Sequence, residues 1–133
     1  MRCSYDMECV TDIGGIFFKA NEPDKLCGWY RKHLGIEIKE RAATFKWRTF
    51  EDPKAERYTV WLAFPEETDY FAPSSKPLVI NFQVANLEEL LAHIKKEGVD
   101  VDTRVETYDY GKFAWIIDPE GNRIELWEPT TKR

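Results

Sequence analysis

The sequence predicts an α+β domain made of two copies of one β-α-β-β-β unit. Three observations carry this. Residues 15–20, GIFFKA, and 79–84, VINFQV, both alternate, and Ile16/Ile80 and Phe18/Phe82 coincide at an offset of 64 residues. Each is followed by a helical pattern that stops at a glycine and runs on into an alternating stretch. VWLAFP (60–65) and IELWEP (124–129) repeat the same offset, with apolar residues at the first and third places and a closing proline. Matched segments at one spacing mark an internal repeat rather than two chance β-α-β stretches.

Alternation places the strands of the first half at about 14–20, 36–41, 44–49 and 58–64. Those of the second half fall at about 78–84, 99–105, 111–117 and 122–128. The first helix starts near NEPDK, with Asn21 as its cap and Pro23 in its first turn. The second starts at ANLEEL, where Asn86 and Glu89 make a capping-box-like N-x-x-E. Gly35 and Gly98 are the helix stops. DPEGN (118–122) reads as a hairpin turn, because proline sets φ and glycine accepts a positive φ. The chain thus divides into an N-terminal lead (1–13), one domain (14–129) and a short tail (130–133). Within the domain, modules of about 14–65 and 78–129 are joined by a proline-containing linker, 66–77, expected to run as a rigid surface connection.

Composition limits the function classes. A chain of 133 residues suits one domain with a real core. The net charge of −5 is spread over interspersed acids and bases, with no basic stripe, which argues against a nucleic-acid partner. No apolar run approaches the roughly 20 residues of a membrane span, and no signal-peptide core is visible at the N-terminus. Three cysteines, without a C-x-x-C or zinc spacing, argue against a disulfide framework and for a reducing, cytoplasmic location. Cys3 and Cys9 lie in the lead, and Cys27 reads as a small buried helix residue.

WYRKHLGI after the first strand and WIIDPEGNRIELWEP at the C-terminus give a more specific signal. With these segments, and over residues 14–129, the chain resembles the vicinal oxygen chelate superfamily of glyoxalase I, bleomycin-resistance proteins and extradiol dioxygenases. The resemblance implies two βαβββ modules in a curved mixed sheet around a cleft, helices on the outer face, and a homodimer. In metal-using members, four strand positions supply His and Glu ligands to a divalent ion. Carried over, these positions fall on Gly15, Trp61, Val79 and Glu125, of which only Glu125 can bind a metal. The two histidines, His33 and His93, both sit in helical patterns away from those strands. The sequence therefore implies no metal and no cofactor.

Strand parity sorts the faces without the family. The sets Ile16/Phe18/Ala20, Val60/Leu62/Phe64, Ile80/Phe82/Val84 and Ile124/Leu126 are expected to pack on the helices. The opposite sets, Gly15/Phe17/Lys19, Thr59/Trp61/Ala63, Val79/Asn81/Gln83 and Arg123/Glu125/Trp127, mix aromatic walls with a few polar groups. That mixture suits a small-molecule pocket better than a solvated sheet face. The candidate binding residues are Phe17, Lys19, Trp61, Asn81, Gln83, Arg123 and Trp127, with Glu125 as the candidate catalytic carboxylate.

Glu125 has three readings: a general base or acceptor at the cleft floor, a structural carboxylate paired with Lys19 or Arg123, or an anchor for a cationic or hydroxyl-bearing ligand. Two loops stay open in the same way. The tyrosines of ETYDYG (106–111) either cover one end of the cleft or pack on their own loop. FKWRTFEDPKAERY (45–58) either borders the cleft entrance or is a solvated connection. The leading functional reading is metal-independent binding of a small organic molecule. The alternatives are a lyase or isomerase using Glu125 as base on a carbonyl compound, a metal enzyme with non-standard ligands, and a structural or regulatory dimer module.

Overall fold

A computed structural model of the chain describes residues 10–130; Cys3, Cys9 and the outer parts of the lead and tail lie outside the described residues. Its elements are β1 (Val10–Ala20), α1 (Pro23–Leu34), β2 (Ala42–Trp47), β3 (Arg57–Pro65), β4 (Leu78–Val84), α2 (Leu87–Lys96), β5 (Asp100–Tyr108), β6 (Gly111–Ile117) and β7 (Arg123–Pro129). The strands form one curved mixed sheet in the order β2-β3-β1-β4-β7-β6-β5. β1 and β4 pair antiparallel at the centre, each is flanked by a parallel partner (β3 and β7), and the outer pairs are antiparallel. The two halves thus repeat one arrangement around the sheet centre, joined edge to edge through β1 and β4.

One expected strand is absent. Residues 36–41 make a single bridge, Lys39 to Ala42, around a turn in which Glu40 and Arg41 have φ of 50° and 73°. The Arg41 carbonyl accepts from the Ala63 N–H of β3 at 3.0 Å, while two side-chain bonds tie the segment to α1. Arg31 Nε donates to the Ile38 carbonyl at 3.0 Å, and Arg41 Nε donates to Asp24 at 2.8 Å. Ile38 itself turns inward beside Cys27. Alternation marked which residues are buried, and the side chains of α1 decided that the backbone would form no strand.

The caps divide likewise. α1 is capped at Glu22 rather than Asn21 and has no side-chain cap; Pro23 at the first turn has no N–H to satisfy. α2 has the expected cap, with Asn86 Oδ1 accepting from the Glu89 N–H at 3.1 Å. Gly35 closes α1 at φ 66°. In the DPEGN turn, Asp118 Oδ1 accepts from the Glu120 and Asn122 N–H groups, both at 2.9 Å, which pins the last hairpin.

Two apolar clusters fill the space between sheet and helices. Under α2, Val84, Leu87, Leu90, Leu91, Ala114 and Leu126 form one. Under α1, Cys27, Ile38, Ala43 and Ala63 form the other, with Phe18, Tyr30, Ile36 and Trp61 packed on it. A third cluster lies on the opposite, concave side of the sheet: Phe17, Phe71 and Val79, with Val60, Leu62, Phe64 and Tyr70. Among the described residues no helix is long and apolar enough to cross a membrane.

Candidate functional site

Register decides which side chains reach the concave face. Asn81 pairs with Glu125, Gln83 with Trp127 and Phe17 with Val79, so these six residues share that face. Trp61 does not join them. β3 runs parallel to β1 with Ile16 opposite Trp61 and Phe17 opposite Leu62, which puts Trp61 on the helix side. There its ring lies 4.9 Å from Phe18 and 5.0 Å from Tyr30. Val60, Leu62 and Phe64 take the concave side. Trp61 departs from the expected cleft side because both faces of β3 are largely apolar, and alternation carries no direction in such a strand.

The linker is the reason the concave face of β3 is apolar. It does not stay on the surface: Phe71 is fully buried against Phe17 and Val79, and the Tyr70 ring stacks on Phe64 at 5.3 Å. Arg123 holds this segment from below, donating from Nη1 to the Ala72 carbonyl at 2.9 Å. The Arg123 guanidinium lies 5.0 Å from the Trp115 ring centroid and 3.7 Å from Asp102. Lys19 contributes a backbone bond to the Pro77 carbonyl at 2.9 Å, and its ammonium sits 5.4 Å from the Phe71 ring. Phe17, Lys19 and Arg123 thus support the linker that seals one half of the cleft.

Glu125 lies under that seal with 1% of its surface exposed. It pairs with neither Lys19 nor Arg123. Oε1 accepts from Asn81 Nδ2 at 2.6 Å; Oε2 accepts from Trp115 Nε1 at 2.9 Å and from the Tyr70 hydroxyl. Three neutral donors solvate the carboxylate directly, and the Arg123 charge acts on it from beyond ion-pair distance. Burial, and then the Glu125 charge, push the Tyr70 phenol far above the ordinary tyrosine range, so the hydroxyl keeps its proton as the donor. Sequence reasoning missed Tyr70 and Trp115. Trp115 was findable, because it directly faces Glu125 across the β6–β7 pair. Tyr70 was not, because no strand periodicity governs a linker.

The other half of the cleft is open. A cavity of about 580 Å³ is lined by Tyr58, Gln83, Tyr110 and Trp127, with Lys54, Glu56, Arg57 and Asp109 among the charged residues around it. It draws on both loops left open by the sequence. Lys54 to Tyr58 form one wall, and the β5–β6 turn with Tyr110 forms part of the other. Tyr110 also stacks on Tyr108 at 5.3 Å. The Trp127 indole is held by its Nε1 bond to the Tyr110 carbonyl at 3.2 Å and by stacking on Phe113 at 5.8 Å. At the floor a register shift between Ile13 and Gly15 brings Gly14 beneath this group. A Cβ on Gly14 would stand 2.3 Å from Asn81 Oδ1 and 3.1 Å from Trp127.

The positions that correspond to metal ligands hold few donors. Gly15 and Val79 offer no donor, Trp61 faces the helices with Val60 and Leu62 in its place, and Glu125 already accepts three hydrogen bonds. Among the described residues no group of three or more His, Cys, Asp or Glu is placed to hold a metal ion. His33 and His93 lie on α1 and α2, where His33 packs near Trp29 and His93 approaches Glu97 at 3.3 Å. This donor set does not fit a divalent ion.

A βαββ and a βαβββ module in one seven-stranded sheet, with helices on one side and a cleft on the other, define a class of protein. The chain belongs to the Glyoxalase/Bleomycin resistance protein/Dioxygenase superfamily, whose family model matches residues 13–126. No match was found among curated proteins. Among solved structures the chain is similar to a Streptomyces coelicolor methylmalonyl-CoA epimerase in complex with 2-nitronate-propionyl-CoA. That likeness has a TM-score of 0.61 at 21% identity, covering 92% of this chain and 100% of the other. The methylmalonyl-CoA epimerase of Mycobacterium tuberculosis gives 0.59 at 17% identity, covering 98% and 93%. A glyoxalase/bleomycin resistance protein/dioxygenase superfamily member from Vibrio splendidus 12B01 gives 0.57 at 11% identity, covering 87% and 97%. At these identities the likeness is one of fold.

Proposed function

We propose that this protein takes up a small organic molecule at the open, Gln83–Trp127 end of its cleft, without a divalent metal at the family's usual position. One contrast supports the reading. The half of the cleft that holds Glu125 is sealed and its carboxylate saturated, whereas the other half keeps a cavity of about 580 Å³. That volume is in the range that encloses small ligands. An open cavity walled by aromatic rings serves binding; a general base needs an approach path that Tyr70 and Phe71 occupy. The lyase or isomerase reading would require the linker to leave Glu125.

A ligand screen read by thermal shift and Trp fluorescence tests the binding half. Hits are expected to lose affinity at least tenfold in Trp127→Ala and to keep it in Trp61→Ala, since Trp61 faces the helices. Hits indifferent to Trp127→Ala would place binding elsewhere. Elemental analysis of protein purified without chelators tests the metal half, with less than about a tenth of an equivalent of Ni, Zn, Mn or Fe expected per chain. One equivalent would overturn it.

A homodimer and a reducing, cytoplasmic setting belong to the same proposal. Between the two helices Ile13, Ile16 and Leu78 remain exposed on the central strands, an apolar strip that a second copy would cover. A monomeric mass by light scattering would remove the dimer. Cys27, the one cysteine among the described residues, is an unpaired buried thiol, as a reducing setting allows.

A further inference from the structure

The strand order sets the two exposed tyrosines of the cavity on opposite flanks. Tyr58 stands on β3, Tyr110 on the β5–β6 turn, and Gln83 and Trp127 lie on β4 and β7, two of the three strands between β3 and β6. β1 also crosses this floor, but there it offers Gly14, which has no side chain to fill the gap. The result is a slot with aromatic sides and a flat base.

Most donors of the floor are engaged, Arg57 Nε being buried without a partner. Trp127 Nε1 donates to the Tyr110 carbonyl, and Arg57 Nη1 donates to Asp12 at 3.0 Å. Gln83 Nε2 donates to the Tyr58 carbonyl at 3.3 Å, which fixes the orientation of its amide. The Gln83 side chain is buried, yet its Oε1 takes no hydrogen bond among the described residues and is absent from the polar atoms sealed away from solvent. Asn81 Oδ1 and Asp12 Oδ1 are also unpaired but sealed from solvent, so Gln83 Oε1 is the side-chain acceptor of the floor that a ligand can reach. Around it, two bases (Lys54, Arg57) balance two acids (Glu56, Asp109), so the walls favour neither sign of ligand charge.

We infer that the cavity selects a neutral, planar ring system that carries an N–H donor on its edge, as an aromatic lactam or amide-bearing heterocycle does. The ring enters edge first between Tyr58 and Tyr110, and its N–H is accepted by Gln83 Oε1. Stacking supplies affinity for any flat ring, whereas the buried acceptor supplies selection, because a ligand without the donor leaves Oε1 dry and unpaired. This rests on the binding reading above and narrows it to a chemical class.

Isoquinolin-1(2H)-one and isocoumarin test the inference, since the second places a ring oxygen where the first has its N–H. Calorimetric titration of the unaltered protein should favour the lactam about tenfold or more. Gln83→Met, which keeps the volume, should bring the two affinities together by weakening the lactam. Tyr58→Ala and Tyr110→Ala should each weaken both compounds while leaving their ratio intact. Equal binding of lactam and lactone by the unaltered protein overturns the inference without recourse to any variant, as does a preference that persists in Gln83→Met. If neither ring binds but a screening hit of another shape is lost in Trp127→Ala, the class falls and the binding reading stands. If nothing binds at all, both fall.

Discussion

Tyr70, from the linker between the modules, donates its hydroxyl proton to Oε2 of Glu125, a strand carboxylate 55 residues further along the chain. The contact closes one half of the cleft and makes the linker part of the core. It also gives Glu125 a partner other than an ion. A buried carboxylate is tolerated only when hydrogen bonds replace the water it has lost, and Tyr70, Asn81 and Trp115 do that together.

Tyr70→Phe should therefore cost about 1–3 kcal/mol of stability, measured by urea denaturation, since it removes a donor from a buried charge. It should also change the alkaline limb. The unfolded chain releases a tyrosine proton near pH 10, while the folded chain keeps that of Tyr70 to higher pH, its phenol being raised by burial and by Glu125. The contribution is whole below about pH 10 and is lost as the pH rises above it. The Phe variant should lack that component. An unchanged alkaline limb would show that Tyr70 ionises with the other tyrosines.

Asn81→Asp should be more damaging than its size suggests. It sets a second carboxylate against Oε1 of Glu125, where Asn81 Nδ2 now donates at 2.6 Å. Two buried carboxylates in contact cannot both stay ionised. A loss of about 3 kcal/mol or more is expected at pH 8, with partial recovery at pH 5, where the pair can share a proton. Denaturation midpoints that move in parallel with those of the parent at both pH values would count against this geometry.

Gly14→Ala tests the floor of the cleft. Its Cβ would meet Asn81 Oδ1 at 2.3 Å and Gln83 Cγ at 2.9 Å. Overpacking of this kind costs about 1–3 kcal/mol, and the displaced groups are those beneath the cavity, so ligand affinity should fall as well. Gly28 on α1, where a Cβ meets nothing within 4 Å, provides the contrast. Gly28→Ala should raise stability by roughly 0.5–1 kcal/mol through helix propensity and leave binding unchanged. Thermal melts and one titration per variant decide both.

Trp61→Ala should behave as a packing mutation. The side chain bridges Phe18 and Tyr30 beneath α1, so its removal should cost about 2–4 kcal/mol. The near-ultraviolet circular dichroism of the α1 side should change while ligand affinity does not. A ligand affinity that falls tenfold in this variant would return Trp61 to the cleft.

Much of this architecture is legible in the chain itself. The offset of 64 residues between GIFFKA and VINFQV survives as the central β1–β4 pair, whereas VWLAFP and IELWEP mark equivalent strands but are one residue out of phase, Val60 and Leu62 facing the cleft and Ile124 and Leu126 the helices. Asn86 caps α2 and DPEGN turns the last hairpin by local hydrogen bonds that need only their neighbours in sequence. The concave placement of Asn81, Gln83, Glu125 and Trp127 likewise follows from strict alternation in two strands, each with one clearly apolar face.

Only the tertiary structure decided the remainder. Trp61 faces the helices because the parallel register of β3 on β1 puts it opposite Ile16, and a strand apolar on both sides does not announce which face is buried where. Residues 36–41 form no strand because Arg31 claims the Ile38 carbonyl and the backbone turns at Glu40 and Arg41, leaving only the Arg41 carbonyl bonded to β3. Tyr70 and Phe71 enter the cleft because Phe17, Val79 and Arg123, distant in sequence, together make a place for them. Local pattern determines which residues must be buried or must turn, since those demands are met within a few residues. Which of two apolar faces is covered, and by what, is settled by contacts between distant segments, and in this protein those contacts separate the sealed carboxylate from the open cavity.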